Sequence, residues 1–182
     1  MQPIKQLTHV LATLADDEHY LFSLGDLQGA LPRHSSGALK AVVSRAVRQG
    51  VLKRVCRGLY LYPMVNPIKG SILYHAAARL RADEFNYISL ESVLSEAGVI
   101  SQIPMNWITL MSSGRSHIVK CGDFGSIEFI HTKKRPTELA DQLIYDARYH
   151  QWRASIALAL RDMKATKRNM DLVDRGVLHE LV

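Results

Sequence analysis

At Gly50 the apolar spacing of the chain changes character. Before it, Leu39, Val42, Val43, Ala46 and Val47 fall on one face of a helix. After it come two short strand-like runs, Val51-Leu52-Lys53-Arg54-Val55 and Leu59-Tyr60-Leu61-Tyr62, joined through Cys56-Arg57-Gly58. A chain written this way has to pass from helix into hairpin within a few residues. Gly50 supplies the helix stop, and Gly58 can take the positive φ of a tight turn. Ser35 or Ser36 can cap the helix at its start. Upstream, Ile4, Leu7, Val10, Leu11 and Leu14 predict an amphipathic first helix over 3–15. Ser23 is placed to cap a short second helix, Leu24–Ala30, which Leu31-Pro32 ends.

The charges divide the chain in the same place. The net charge is +6, yet no Asp or Glu occurs in residues 27–82. That run holds ten cations: Arg33, Lys40, Arg45, Arg48, Lys53, Arg54, Arg57, Lys69, Arg79 and Arg81. Solvated surfaces normally mix both signs, so a run of one sign points to a polyanionic partner, with nucleic-acid phosphate the leading one and chance clustering in a basic protein the alternative. Residues 83–182 are close to neutral, with 12 cations and 13 acids. The turn-rich joint Pro63, Asn66, Pro67 and Gly70 separates the two, and predicts a basic domain over 1–68 and a second domain over 69–182.

On the third helix, Lys40, Ala41, Ser44, Arg45 and Arg48 occupy the arc opposite the apolar face. Short side chains and cations without acids are what a helix needs to enter a major groove. Arg54 and Arg57 fall at or near the hairpin tip, where a wing touches backbone or minor groove. The order helix, helix, basic helix, basic hairpin predicts a winged helix-turn-helix; a small α+β domain whose charges are merely solvated is the alternative. Its candidate DNA-contacting residues are Ser36, Lys40, Ser44, Arg45, Arg48, Lys53, Arg54 and Arg57.

Gly50-Val51-Leu52-Lys53-Arg54-Val55-Cys56-Arg57-Gly58-Leu59-Tyr60-Leu61-Tyr62-Pro63 resembles the wing of the AbiEi-type antitoxins of abortive-infection systems. Tyr87-Ile88-Ser89-Leu90-Glu91-Ser92-Val93-Leu94-Ser95-Glu96-Ala97-Gly98-Val99-Ile100 resembles a second segment of that family. As in the family, a β-rich stretch with a Gly-Arg-Ser turn (Gly114, Arg115, Ser116) follows. The resemblance spans roughly residues 20–132. It implies a DNA-binding antitoxin that represses its own type IV toxin–antitoxin operon through promoter repeats. It also implies opposition to a nucleotidyltransferase-type toxin, without a stable toxin complex.

The second half reads as α+β, with a small antiparallel sheet and packed helices. Gly70–Arg81 carries Ile72, Leu73, Ala76, Ala77 and Leu80 at helical spacing. Ser89 or Ser92 can cap a helix that ends at Ala97-Gly98. Trp107–Met111, His117–Cys121 and Ser126–Thr132 are strand candidates. Their Gly-, Ser- and Asp-rich connections predict an antiparallel meander. Residues 137–175 contain neither Gly nor Pro, and Leu139, Leu143, Ala147, Ile156, Leu160 and Met163 suggest two or more helices. Trp107 would begin a strand and Trp152 sit in a helix, both as core or interface side chains. Arg161, Lys164, Lys167 and Arg168 recur at three and four residues, a helix face that could track a phosphate backbone; a solvated basic helix balanced by Asp162 and Asp171 is the alternative.

Sequence patterns of catalysis are missing. Asp123-Phe124-Gly125 lacks the companion kinase motifs and reads as a turn. The eight histidines form no HExxH, and His117 with His131 on neighbouring strands would lack a third metal ligand. Cys56 and Cys121 give neither a disulfide framework nor a metal knuckle. No cofactor is expected. The longest apolar stretch, Ile156–Leu160 and its flanks, is far short of the roughly 20 residues of a membrane span, and no signal core follows Met1. A cytoplasmic regulator is expected, with two chains pairing on DNA half-sites as a further option. The rival readings are a plain winged-helix regulator with a C-terminal dimerisation or protein-interaction domain, and a nucleic-acid-processing enzyme; the missing catalytic set counts against the latter.

Overall fold

The computed structural model describes residues 2–68, 70–101, 103 and 106–181. The chain divides into two units, Met1–Ile72 and Leu73–Val182. Lys69, one of the ten cations, lies outside the described residues.

The first unit runs α1 (Pro3–Leu14), β1 (Leu21–Ser23), α2 (Leu24–Ala30), α3 (Ser36–Arg48), β2 (Lys53–Cys56) and β3 (Leu59–Leu61). The expected caps are in place. The Ser23 hydroxyl accepts from the Asp26 amide while the Asp26 carboxylate accepts from the Ser23 amide, a capping box on α2. Ser35, not Ser36, caps α3 by accepting from the Ala38 amide at 3.2 Å. Gly50 follows the end of α3 at φ +74°, and Gly58 turns the hairpin at φ +77°. Three helices close over Leu7, Leu11, Leu27, Leu31, Leu39, Val42, Val43, Ala46 and Leu52.

Two features of this unit exceed the sequence reading. Residues 21–23 form a short strand that pairs antiparallel with β3, giving the order β1-β3-β2. A bulge falls between Arg54 and Cys56 in β2. Strict alternation would send Val55 and Cys56 to opposite faces; the extra residue lets both be buried while Lys53 and Arg54 are both exposed.

The second unit holds α4 (Ile72–Leu80, entering from the first), β4 (Asn86–Ile88), α5 (Glu91–Glu96), β5 (Trp107–Ser112), β6 (His117–Lys120) and β7 (Ser126–His131). It continues with α6 (Pro136–Leu139), β8 (Leu143–Asp146), β9 (Gln151–Ala154), α7 (Ile156–Ala165) and α8 (Arg175–Leu181). Its sheet is six-stranded and mixed, in the order β6-β7-β5-β4-β9-β8, rather than small and antiparallel. β5 and β7 pair in parallel over six residues, so the expected meander is not formed. The chain leaves β5, passes to the edge as β6, and returns as β7 between them. The burial explains the order: β7 carries the fully buried Ile127 and Phe129, whereas β6 exposes His117, Ile118 and Lys120. The same register pairs His117 with Phe129, so His117 and His131 do not face each other.

The helix expected from Leu139 through Ala147 is instead the hairpin β8–β9. Ile144, Tyr145 and Trp152 favour strand geometry, and His150 takes φ +52° at the turn, where the sequence offers no glycine to advertise it. Trp152 therefore lies in a strand, 45% exposed, edge-to-face with Tyr145. α5 and α7 pack together on the sheet. Gly98 follows α5 at φ +75° as expected, but neither serine caps that helix. The Ser92 hydroxyl accepts from the Thr109 amide, and Ser89 bonds Asp162.

Candidate nucleic-acid interface

α3 buries Leu39, Val42, Val43 and Ala46, and this fixes what the opposite side presents. Lys40, Ala41, Ser44, Arg45 and Arg48 are all exposed, as is Ser36 in the first turn. At about 1.5 Å per residue, Lys40 and Arg48 stand roughly 12 Å apart along the axis, a span of three to four base-pair steps at about 3.4 Å each. Among the described residues, Lys40, Arg45, Arg48 and Arg57 have no carboxylate partner. Arg45 and Arg48 lie in the last turn, where the helix dipole favours cations.

The hairpin adds Lys53, Arg54 and Arg57, all exposed. The Arg54 Nε donates to the Cys56 carbonyl at 3.4 Å, across the bulge, which restrains the side chain near the turn. Arg57 sits beside Gly58 in the turn itself. Of the unit's acids, Asp26 accepts from the Ser23 amide in the α2 cap, and Asp16 accepts from the Glu18 and His19 amides. Those amides hold the Asp16 carboxyl below the usual aspartate range. Arg33, a further cation of the acid-free run outside the candidate set, is exposed just ahead of α3.

The four cations placed on a C-terminal helix face do not form one. α7 ends at Ala165, and Lys167 takes φ +56°, which turns the chain away. Arg161 and Lys164 are exposed on α7. Arg168 folds back, donating through Nε to Glu91 and through both terminal nitrogens to Glu128 at 2.9 and 3.0 Å. Its charge is thus taken up within the unit. The balancing role given to Asp162 fails too, since it is fully buried. Its Oδ2 accepts from the Tyr87 hydroxyl at 3.0 Å and the Ser89 hydroxyl at 2.7 Å, and its Oδ1 from Lys134 Nζ at 3.2 Å. Burial, and then the Asp162 charge, push the Tyr87 phenol well above its ordinary pKa. This polar knot joins residues 73 and 75 positions apart, which no local sequence pattern reveals.

Among the described residues, no three His, Cys, Asp or Glu side chains gather as a metal site. No helix among them is long and apolar enough to cross a membrane.

Residues 9–63 match the family model of the transcriptional regulator, AbiEi antitoxin. The matched AbiEi segment runs from within α1 to just past β3, and so contains the exposed arc of α3 and the hairpin cations. It supports an antitoxin or regulator role, and the matched family is regulatory rather than enzymatic. A comparison with curated proteins finds no match.

Proposed function

We propose that the first unit is a winged helix-turn-helix that binds double-stranded DNA at repeats in its own promoter. α3 would read the major groove through Ser36, Lys40, Ser44, Arg45 and Arg48. The β2–β3 hairpin would act as the wing, with Lys53, Arg54 and Arg57 on phosphates or in the minor groove. The observation that carries the reading is the outer arc of α3. It lies inside the segment matching a transcriptional-regulator family, and bears three cations that no carboxylate neutralises among the described residues.

The family match supports an antitoxin or regulator role, and the proposal extends it to an antitoxin that represses a type IV toxin–antitoxin operon and opposes a nucleotidyltransferase-type toxin without holding it in a stable complex. Repression would rest on residues 1–68 and neutralisation on 69–182, with two chains pairing on operator half-sites in the cytoplasm. Because the match ends at residue 63, a second reading stands beside it: a plain regulator whose second unit mediates protein contacts.

The test uses the full chain with Arg45 and Arg48 both replaced by alanine. It is expected to lose repression of a reporter behind its own promoter, yet still rescue cells that co-express the neighbouring toxin. Full repression by a folded double variant refutes the groove assignment. A wild-type chain that represses but gives no rescue favours the plain regulator.

A further inference from the structure

The two edges of the six-stranded sheet are guarded unequally. At one edge, β6 carries His117 and Lys120, both exposed, with Arg115 just before it. Charged side chains such as Arg115 and Lys120 discourage edge-to-edge pairing. At the other edge, β8 reads Leu143-Ile144-Tyr145-Asp146, with Ile144 69% and Tyr145 50% exposed. Its only charge, Asp146, is held by Arg148 at 2.8 Å and Arg153 at 3.4 Å. No lysine, proline or bulge protects this strand.

The pairing of β8 with β9 dictates what the free edge offers. The Gln142 carbonyl accepts from the Ser155 amide, so alternation points the backbone groups of Ile144 and Asp146 toward β9 and those of Leu143 and Tyr145 outward. An antiparallel strand added there in two-fold register about Ile144 places Leu143 opposite Tyr145, as a pair that exchanges both hydrogen bonds. Ile144 then meets its own counterpart in a closely spaced, non-hydrogen-bonded pair. Asp146 comes opposite the uncharged Gln142, so no like charges meet. Every exposed apolar residue of the strand finds an apolar mate, and the mate is this same sequence. That is the self-complementarity a two-fold contact requires.

We propose that β8 is a homodimerisation edge, pairing antiparallel with β8 of a second copy about a two-fold axis through Ile144. The inference rests on the reading that two chains share an operator, and supplies the contact between them. With only four residues in the edge strand, the interface is small and the dimer dissociates in roughly the micromolar range.

The experiment is sedimentation velocity of the full, DNA-free chain over a wide concentration range. The wild type is expected to move from the 20.5 kDa monomer to twice that mass as concentration rises. Ile144→Lys and Ile144→Glu, both at an exposed position, are expected to raise the dissociation constant roughly a hundredfold each by setting like charges across the axis. An equimolar mixture of the two is expected to restore the dimer, because opposite charges then meet at that point. Ile118→Lys on the opposite edge is expected to leave the dimer unchanged. A wild type that stays monomeric, a dimer untouched by Ile144→Lys, or failure of the mixture to recover overturns the proposal. Operator affinity measured separately keeps the outcomes apart: a monomer that still binds DNA refutes the edge contact and leaves the DNA-binding reading standing.

Discussion

Asp162→Ala is the sharpest single perturbation of the second unit. The carboxylate is fully buried on α7, where it accepts from two hydroxyls and from the Lys134 ammonium. Removing it leaves two buried donors, on Tyr87 and Ser89, without their acceptor. Hydrogen bonds to a charged group contribute about 1.5–3 kcal/mol each, and an orphaned buried donor costs about 1–3 kcal/mol. These figures describe overlapping parts of one loss, and Lys134, being partly exposed, can return to water. The net expectation is about 3–5 kcal/mol.

Asp162→Asn is the discriminating control. It keeps one side-chain oxygen as acceptor and the volume of the side chain, and the hydroxyls can rotate to accept from its amide. Its expected cost is about 1–2 kcal/mol. Both tryptophans, Trp107 and Trp152, lie in the second unit, so urea titration followed by tryptophan fluorescence of the full chain reports that unit alone. With a slope of about 1.5 kcal/mol per molar urea, the midpoint falls by roughly 2–3 M for the alanine variant. A loss below about 1 kcal/mol, or an asparagine variant as damaging as alanine, refutes the argument that the buried charge holds α7 to the sheet.

On DNA, Arg45→Ala and Arg48→Ala should each weaken operator binding by about 1–3 kcal/mol with circular dichroism unchanged, as measured by mobility shift. Replacing both Arg54 and Arg57 by alanine should flatten the slope of log affinity against log salt by about one unit per lost phosphate contact, whatever the DNA sequence. The second unit should also show a dependence on acid. Hydrogen bonding from Arg168 holds the Glu128 carboxyl below the usual glutamate range, against the opposing effect of burial. A folded-state pKa below the unfolded one means that this contribution is present above the ordinary glutamate value and lost as pH falls through the folded one. The urea midpoint should therefore drop with acid, and Arg168→Met should shrink that drop. A full acid dependence in the variant would assign it to other carboxylates.

What could be read from the sequence was written locally. The Ser23 and Ser35 caps, the stop at Gly50 and the turn at Gly58 each act within a few residues, so the order of helices and the hairpin of the first unit followed from them. The charge pattern worked for the same reason, because α3 buries one face and must present the other. Strand β1 escaped, since three residues gain strand geometry only by meeting β3 almost forty positions later. In the second unit nearly every decision is of that kind. The turn between β8 and β9 is made by His150 at positive φ, which the sequence does not signal as a glycine would. The insertion of β7 between β5 and β6 is decided by which strand can afford exposure, a comparison among three segments at once. Arg168 illustrates the limit most clearly. Its spacing from Arg161 and Lys164 is that of a shared helix face, but Lys167 breaks the helix one residue earlier, and Glu91 and Glu128 take up the charge from distant parts of the chain. Periodicity can state where a side chain would point if the helix continued. Whether it continues is settled by partners that only the folded chain brings near.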